Sequence, residues 1–347
     1  EGVKWLYNLY KCELGGILAD EMGLGKSLQT IIFISKVLKE EPYAKILIVT
    51  PTSLVYNWDN EFRKFSDKIK RSIFTGLRKE RHKQIKNYTG NVYITSYGLL
   101  REDLDIYREM NFKVMVIDEA QNIKNPTAML TKSVKSIKST VKVALTGTPI
   151  ENSILELWSI FDYIMPGFLS SKNKFKEKYK MGEDFDEETN VMLNKLKNQV
   201  SPFILRRKKN EVLKDLPEKL ENNIYINLSE EEKKIYASLV QDTKKQMEEL
   251  VKTGFNKNKM QILTLLTRLR QVCIDPRIIF DGYKKPSSKI IHLLEVIKES
   301  IKNGHKILLF TSFKTALNIV KEELDKEQIT NYVIDGSVSS KKRQELV

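Results

Sequence analysis

Five short apolar runs, at Gly16 to Ala19, Ile46 to Thr50, Val92 to Thr95, Val114 to Ile117 and Val143 to Thr146, recur along the N-terminal part of the chain. Each is apolar nearly throughout and bounded by turn or loop residues, the pattern of a strand buried on both faces. The segments between them are long enough for crossover connections, which predicts a parallel sheet covered on both sides. From Ser27 to Glu40, Leu28, Ile31, Ile32, Ile34, Val37 and Leu38 recur at helical spacing, predicting a helix packed on that sheet.

The pattern turns helical from Ile154 to Val200, interrupted at Pro166-Gly167. The run SPFILRRKKNEVLKDLP, residues 201–217, holds proline near both ends and the cations Arg206, Arg207, Lys208 and Lys209 in a row. It is the best candidate boundary, and its cations read equally as a solvated run, a brace or a DNA contact. Ser229 with Glu232 three positions on predicts a capping box that opens a second helical insertion. The α/β rhythm then resumes with a helix from Lys289 to Lys302, a strand from Lys306 to Thr311, a helix from Thr315 to Asp325 and a strand from Tyr332 to Asp335. We expect an α/β chain of two lobes: residues 1–203 with a helical protrusion over 152–203, a linker over 204–221, and 222–347 with a helical insertion over 229–288. We expect the second sheet to be incomplete within these residues.

A length of 347 residues exceeds one ordinary core and suits two lobes. Lys plus Arg number 59 against 45 for Asp plus Glu, a net charge of +14, and such a field attracts polyanions such as nucleic acid. An acidic membrane surface has the same charge, and AT-rich coding sequence produces the same lysine bias. The cysteines Cys12 and Cys273 and the histidines His82, His292 and His305 cannot assemble a tetrahedral zinc cluster at normal spacing, nor a disulfide framework. Apolar runs stop well short of the roughly 18 residues that a membrane helix needs. We therefore expect no structural zinc, no membrane association and a reducing compartment.

Chemistry concentrates in two places. In GGILADEMGLGKSLQTI, Gly23 and Gly25 allow backbone N–H groups to face phosphate oxygens, Lys26 can reach the β and γ phosphates, and Ser27 can ligate magnesium. The candidate nucleotide site is Met22, Gly23, Leu24, Gly25, Lys26, Ser27 and Leu28, although Asp20 stands where the strict phosphate-loop pattern has glycine. In VMVIDEAQ, Asp118 can hold magnesium through a water and Glu119 can orient and deprotonate the water that attacks the γ-phosphate.

DEMGLGKS, TPTSLVYNW, ITSYGLL, DEAQNIKN, LTGTPIENS, LWSIFDYIMPG, PFILRRKKNEV, LPEKLE and ILLFTSF occur in the order seen in the Swi/Snf family of superfamily 2 helicase-like ATPases. The resemblance spans essentially the whole chain. It implies two RecA-like parallel-sheet lobes with helical insertions that resemble protrusions gripping duplex DNA, ATP and magnesium as cofactors, and double-stranded DNA as partner. Asp is the usual residue at position 20 in that family, whereas Gln121 stands where most relatives have histidine. The resemblance also implies that Thr146, Gly147 and Thr148 couple the ATP site to the nucleic-acid track. Pro51, Thr52, Ser53, Ser96 and Tyr97 would line that track in the first lobe, and Ser312 and Phe313 in the second; Trp58 reads as core ahead of contact.

The family reads adenine partly with a glutamine upstream of the EGVKWL pattern, and carries arginines for the γ-phosphate in a late motif of its second lobe. Both lie outside the sequence, so we expect a member incomplete at both ends whose 347 residues hydrolyse ATP very slowly. The Lys, Ile and Asn bias suggests an AT-rich bacterium, hence the cytoplasm and nucleoid, or the nucleus if the source is eukaryotic. The expected function is an ATP-driven motor that translocates on double-stranded DNA and remodels or displaces bound protein without strand separation. A strand-separating DNA or RNA helicase, and a nucleotide-gated binding module on RNA polymerase or another complex, are the alternatives.

Overall fold

A computed structural model describes residues 1–148, 153–179, 187–212, 220–338 and 340–346. The chain divides into two compact units, Glu1–Pro217 and Glu218–Val347.

The first unit is built on seven strands: β1 (Gly16–Leu18), β2 (Ile46–Thr50), β3 (Arg71–Ile73), β4 (Val92–Ser96), β5 (Phe112–Ile117), β6 (Ser139–Leu145) and β7 (Ile204–Leu205). Their order across the sheet is β3-β4-β2-β5-β6-β1-β7, and every neighbouring pair runs parallel. The five apolar runs are β1, β2, β4, β5 and β6. Their side chains alternate between two cores, which is why the runs are apolar up to the threonines at their ends. Leu47, Val49, Tyr93, Met115 and Ile117 enter one core with residues of the Tyr97–Glu102 and Ile154–Ile164 helices. Ile46, Ile48, Ile94, Val114 and Val116 enter the other with the Gly2–Lys11, Lys26–Glu40 and Val55–Ser66 helices.

Strands β3 and β7 lie at the two edges, are half-buried, and were not foreseen. Three and two residues are too few to express a period, so only pairing with a neighbour reveals them. Because all seven strands point the same way, their C-terminal ends share one edge of the sheet, where α/β folds place ligands. That edge receives the loop after β1, Pro51 after β2, Tyr97 after β4, Asp118 after β5 and Thr146 after β6.

In the second unit the Ser229/Glu232 capping box forms at the head of the Glu230–Lys252 helix. The Glu232 carboxylate also accepts from the Ser288 N–H at 2.9 Å, tying that helix to the start of Ser288–Lys302. Buried Asp275 pairs with Arg277 at 2.9 Å, and Arg277 reaches Glu323 of the Lys314–Lys326 helix at 2.6 Å. The strands expected over Lys306 to Thr311 and Tyr332 to Asp335 do not form. A strand exists only where a neighbour supplies ladder groups, and the described residues supply none to these segments. Leu308 and Phe310 are accordingly exposed. Among the described residues no helix is long and apolar enough to cross a membrane.

Candidate functional site

From β1 the chain turns through residues 19–25 into the Lys26–Glu40 helix. Gly23 has φ 88° and Gly25 φ 72°, left-handed values that a Cβ disfavours. Gly25 is the N-cap and no side chain caps the helix, so its first N–H groups and positive end can meet an anion. The Lys26 amine donates to the Asp20 carbonyl at 2.7 Å. Burial lowers its pKa from the usual lysine value, opposed by the charges of Glu119, Asp118 and Asp20. Ser27 follows in the first helical turn, where its hydroxyl suits a metal held beside the phosphates.

The Asp118 carboxylate accepts from Trp58 Nε1 at 2.9 Å, from the Glu119 N–H at 2.9 Å and from Thr50 Oγ1 at 3.3 Å. Burial raises its pKa above the usual aspartate value; the Trp58 hydrogen bond opposes this and the Glu119 charge adds to it. Glu119 itself has φ 51°, a left-handed backbone that is unfavourable for a side-chain-bearing residue and recurs at functional sites. Gln121 Nε2 donates to the Glu119 carboxylate at 2.8 Å, and Gln121 Oε1 accepts from Thr146 Oγ1 at 3.1 Å. The Thr148 N–H completes the line by donating to Thr146 Oγ1 at 3.1 Å. An amide can bridge in this way because it carries both a donor and an acceptor.

Trp58 is buried, and its N–H is committed to Asp118. Trp58→Phe keeps most of the ring and removes that bond, worth about 1.5–3 kcal/mol when the acceptor is charged. We expect magnesium-dependent binding of a fluorescent ADP analogue to weaken roughly tenfold, by the same principle, with metal-free binding unchanged. Parallel titrations with magnesium and with chelator check this, and equal losses in both would remove the assignment.

Of the four cations after the first helical region, Arg206 and Lys208 are exposed, whereas Arg207 and Lys209 are half-buried beside the loop of residues 23–25. Strand β7 extends the sheet beside β1, where the Ala19 N–H donates to the Leu205 carbonyl at 2.7 Å and the Glu21 N–H to the Arg207 carbonyl at 3.0 Å. Arg207 then turns its guanidinium onto Asp20, with Nε 3.0 Å from Oδ1. A cavity of about 220 Å³ opens beside the phosphate loop, lined in part by Glu1, Gly2, Leu24, Gly25, Leu28 and Arg207.

The candidate track residues are placed unevenly. Thr52 and Ser53 are exposed on the short turn after β2, with Pro51 half-buried before them. Ser96 is buried and caps the next helix by accepting from the Leu99 N–H at 3.3 Å. Tyr97 is buried, and its hydroxyl donates to the Asp118 carbonyl at 2.7 Å. Thr146 is buried and Thr148 exposed, with Gly147 between them. In the second unit Ser312 is exposed, and the Arg270 guanidinium lies 5.8 Å from the Phe313 ring centre. Thr50 and Gln29 were missed, and Trp58, read as core ahead of DNA contact, and Arg207, read within a run with a brace among its readings, were not assigned to the nucleotide site. Thr50 could have been found as the last residue of a strand that ends at the functional edge, whereas nothing local marks Arg207.

A parallel sheet whose C-terminal edge gathers a glycine-turned loop, a helix N-terminus and an acidic strand end defines a RecA-like, phosphate-loop α/β protein. The SNF2-related domain model matches residues 1–278, and the chain belongs to that family. Over its whole length it is 38% identical to an uncharacterized ATP-dependent helicase of Mycoplasma pneumoniae, of which it covers 33%. It is 34% identical to the putative ATP-dependent helicase/translocase YwqA of Bacillus subtilis, covering 38% of that protein. The Sulfolobus solfataricus SWI2/SNF2 ATPase core in complex with dsDNA is similar in structure at a TM-score of 0.57 and 35% identity, over 99% of this chain and 72% of that one. The chain thus spans about a third of the length of these curated relatives.

Proposed function

We propose that the chain is the ATPase motor of a translocase that moves on double-stranded DNA and remodels or displaces bound protein without separating strands. The observation that carries this reading is the meeting of the Lys26 loop, Asp118, Glu119 and Thr146 at one sheet edge, in a chain of the SNF2-related family. Arg207, bonded to Asp20, serves as a brace of the first unit. A bacterial member would work on the chromosome in the cytoplasm.

ATP is the substrate. Residues 22–28 wrap its phosphates with N–H groups, and the Lys26 amine, kept close to Asp118 and Glu119, faces the β and γ oxygens. Ser27 and Asp118 would hold magnesium, which when bound neutralises charge developing on the phosphate oxygens. The three hydrogen bonds on Asp118 aim its carboxylate and oppose the rise in pKa that burial causes. Glu119 takes the proton of the attacking water. Its carboxylate is held by Gln121, so a change at Glu119 is transmitted through one amide to Thr146 and Thr148. Hydroxyls such as those of Thr52 and Ser53 suit phosphate contacts that position a protein without reading bases. That the Sulfolobus core was solved with double-stranded DNA supports this choice of track.

Lys26→Ala is expected to abolish ATP binding, because the loop loses the cation that faces the phosphates. Unchanged nucleotide affinity and turnover in that variant would remove the phosphate-loop assignment. Binding to duplex DNA should depend on length, barely on sequence and steeply on salt: six to ten phosphate contacts imply an affinity loss of about 10³–10⁵ between 50 and 200 mM salt. A salt-insensitive affinity counts against a translocase track. In the same preparations a displaced-strand signal would assign a strand-separating helicase, and nucleotide-dependent docking without movement a gated binding module.

A further inference from the structure

Asp20 is fully buried at the foot of the phosphate loop. A carboxylate there is unfavourable unless it is paired and hydrogen-bonded. Its partners come from outside the loop. Arg207 supplies its backbone N–H at 3.1 Å, Nε at 3.0 Å and a second guanidinium nitrogen on Oδ2, and Gln29 Nε2 adds a bond at 3.1 Å. The same Gln29 amide donates to the Leu24 carbonyl at 3.0 Å and accepts from the Arg207 guanidinium at 2.7 Å. Both ends of the loop, Asp20 and Leu24, are therefore tied to one arginine on the segment after β7.

Two further contacts extend the tie. The Lys26 amine is bonded to the carbonyl of Asp20, so the placement of residue 20 sets the placement of the amine. The Lys209 N–H donates to the Glu21 carboxylate at 2.7 Å, and the Lys209 Cε lies 3.1 Å from where a Cβ on Gly23 would stand. Arg207 lies 187 residues from Asp20 in sequence and shortly before the second unit begins at Glu218.

We propose that Arg207 is a positioning residue that sets the phosphate loop through Asp20 and Gln29, so that docking of residues 204–209 on the sheet edge and nucleotide binding at the loop favour each other. The inference rests on the reading of residues 22–28 as the nucleotide site. By thermodynamic reciprocity, whatever docking does for nucleotide, nucleotide does equally for docking.

The test uses the 347-residue chain, a fluorescent ADP analogue with magnesium, and hydrogen exchange read over residues 19–25 and 204–208. Arg207→Met should weaken the analogue by about tenfold or more, since a bidentate charged contact is lost and Asp20 is left unpaired. It should also speed exchange over residues 19–25 without nucleotide. Arg207→Lys, a point charge without the fork, should fall between. The double variant Asp20→Asn with Arg207→Met should bind better than Arg207→Met alone, because the unpaired buried charge is gone; a purely additive loss overturns the pairing. Saturating analogue should slow exchange over residues 204–208 in the parent chain, and no change there overturns the linkage. If the parent binds the analogue and Lys26→Ala does not, yet Arg207→Met binds like the parent after correction for the folded fraction, Arg207 is structural only and the nucleotide site stands. If the parent itself shows no binding, the nucleotide reading fails and this inference falls with it.

Discussion

Glu119→Gln is expected to leave nucleotide affinity within a few-fold of the parent while lowering DNA-stimulated phosphate release by about 10²–10⁴, the usual contribution of a positioned general base. The substitution is nearly isosteric, and an amide oxygen at position 119 can still accept from Gln121 Nε2, a bond of 2.8 Å in the parent. Asp118 keeps the Trp58, Thr50 and Glu119 N–H donors, so the carboxylate proposed to hold magnesium does not move. What disappears is the proposed proton acceptor. Binding should therefore survive and the chemical step should not, a split that a structural defect does not produce. Turnover within a few-fold of the parent together with weakened binding would show that the roles of Asp118 and Glu119 have been exchanged. Phosphate release with and without duplex DNA, measured beside nucleotide affinity, makes the comparison.

Asp103→Ala is expected to destabilise the first unit by about 3–5 kcal/mol, the range for leaving a buried charge without its partner. Arg81 and Asp103 are both essentially buried, and the guanidinium reaches the carboxylate through two nitrogens, one of them at 2.9 Å. Asp103 holds the Arg81 pKa above the ordinary arginine value. The pair joins the Arg78–Asn87 helix to the junction between the Tyr97–Glu102 and Leu104–Glu109 helices, and His82 adds a contact to Asp103 at 2.9 Å. Glu102, 3.0 Å from Arg81 but half-exposed, compensates only in part. Denaturant midpoints of the transition that unfolds Glu1–Pro217 measure the loss, and Arg81→Met with Asp103→Leu should recover most of it. A loss below about 1 kcal/mol would mean that the pair behaves like an exposed ion pair.

How much could be read from the sequence depended on the range of the interaction. Residues 46–49 and 114–117 declared themselves because burial on two faces selects apolar side chains throughout. The Ser229/Glu232 capping box was legible because its bonds close within one turn. Gly23 and Gly25 were legible because a left-handed turn before a helix restricts residue type. Lys306 to Thr311 shows the opposite failure: a local apolar pattern satisfies the rule for a strand, yet among the described residues no neighbouring backbone completes a ladder.

By itself, then, the sequence determined the parallel-sheet class, the glycine-turned loop after the first strand, the acidic strand end and the family, since each is written in residues close together or in motifs of fixed order. Only the tertiary structure decided what holds those parts in place. Trp58 reaches Asp118 across 60 residues, Thr146 reaches Gln121 across 25, and Arg207 reaches Asp20 across 187. In each case at least one partner stands at or just beyond the C-terminal end of a parallel strand. The order in which those strands lie side by side, β3-β4-β2-β5-β6-β1-β7, is not the order in which the chain makes them. Adjacency at the site is therefore a property of the crossovers, and the arginine that appeared in sequence as one cation among four is singled out only when β7 lies down beside β1.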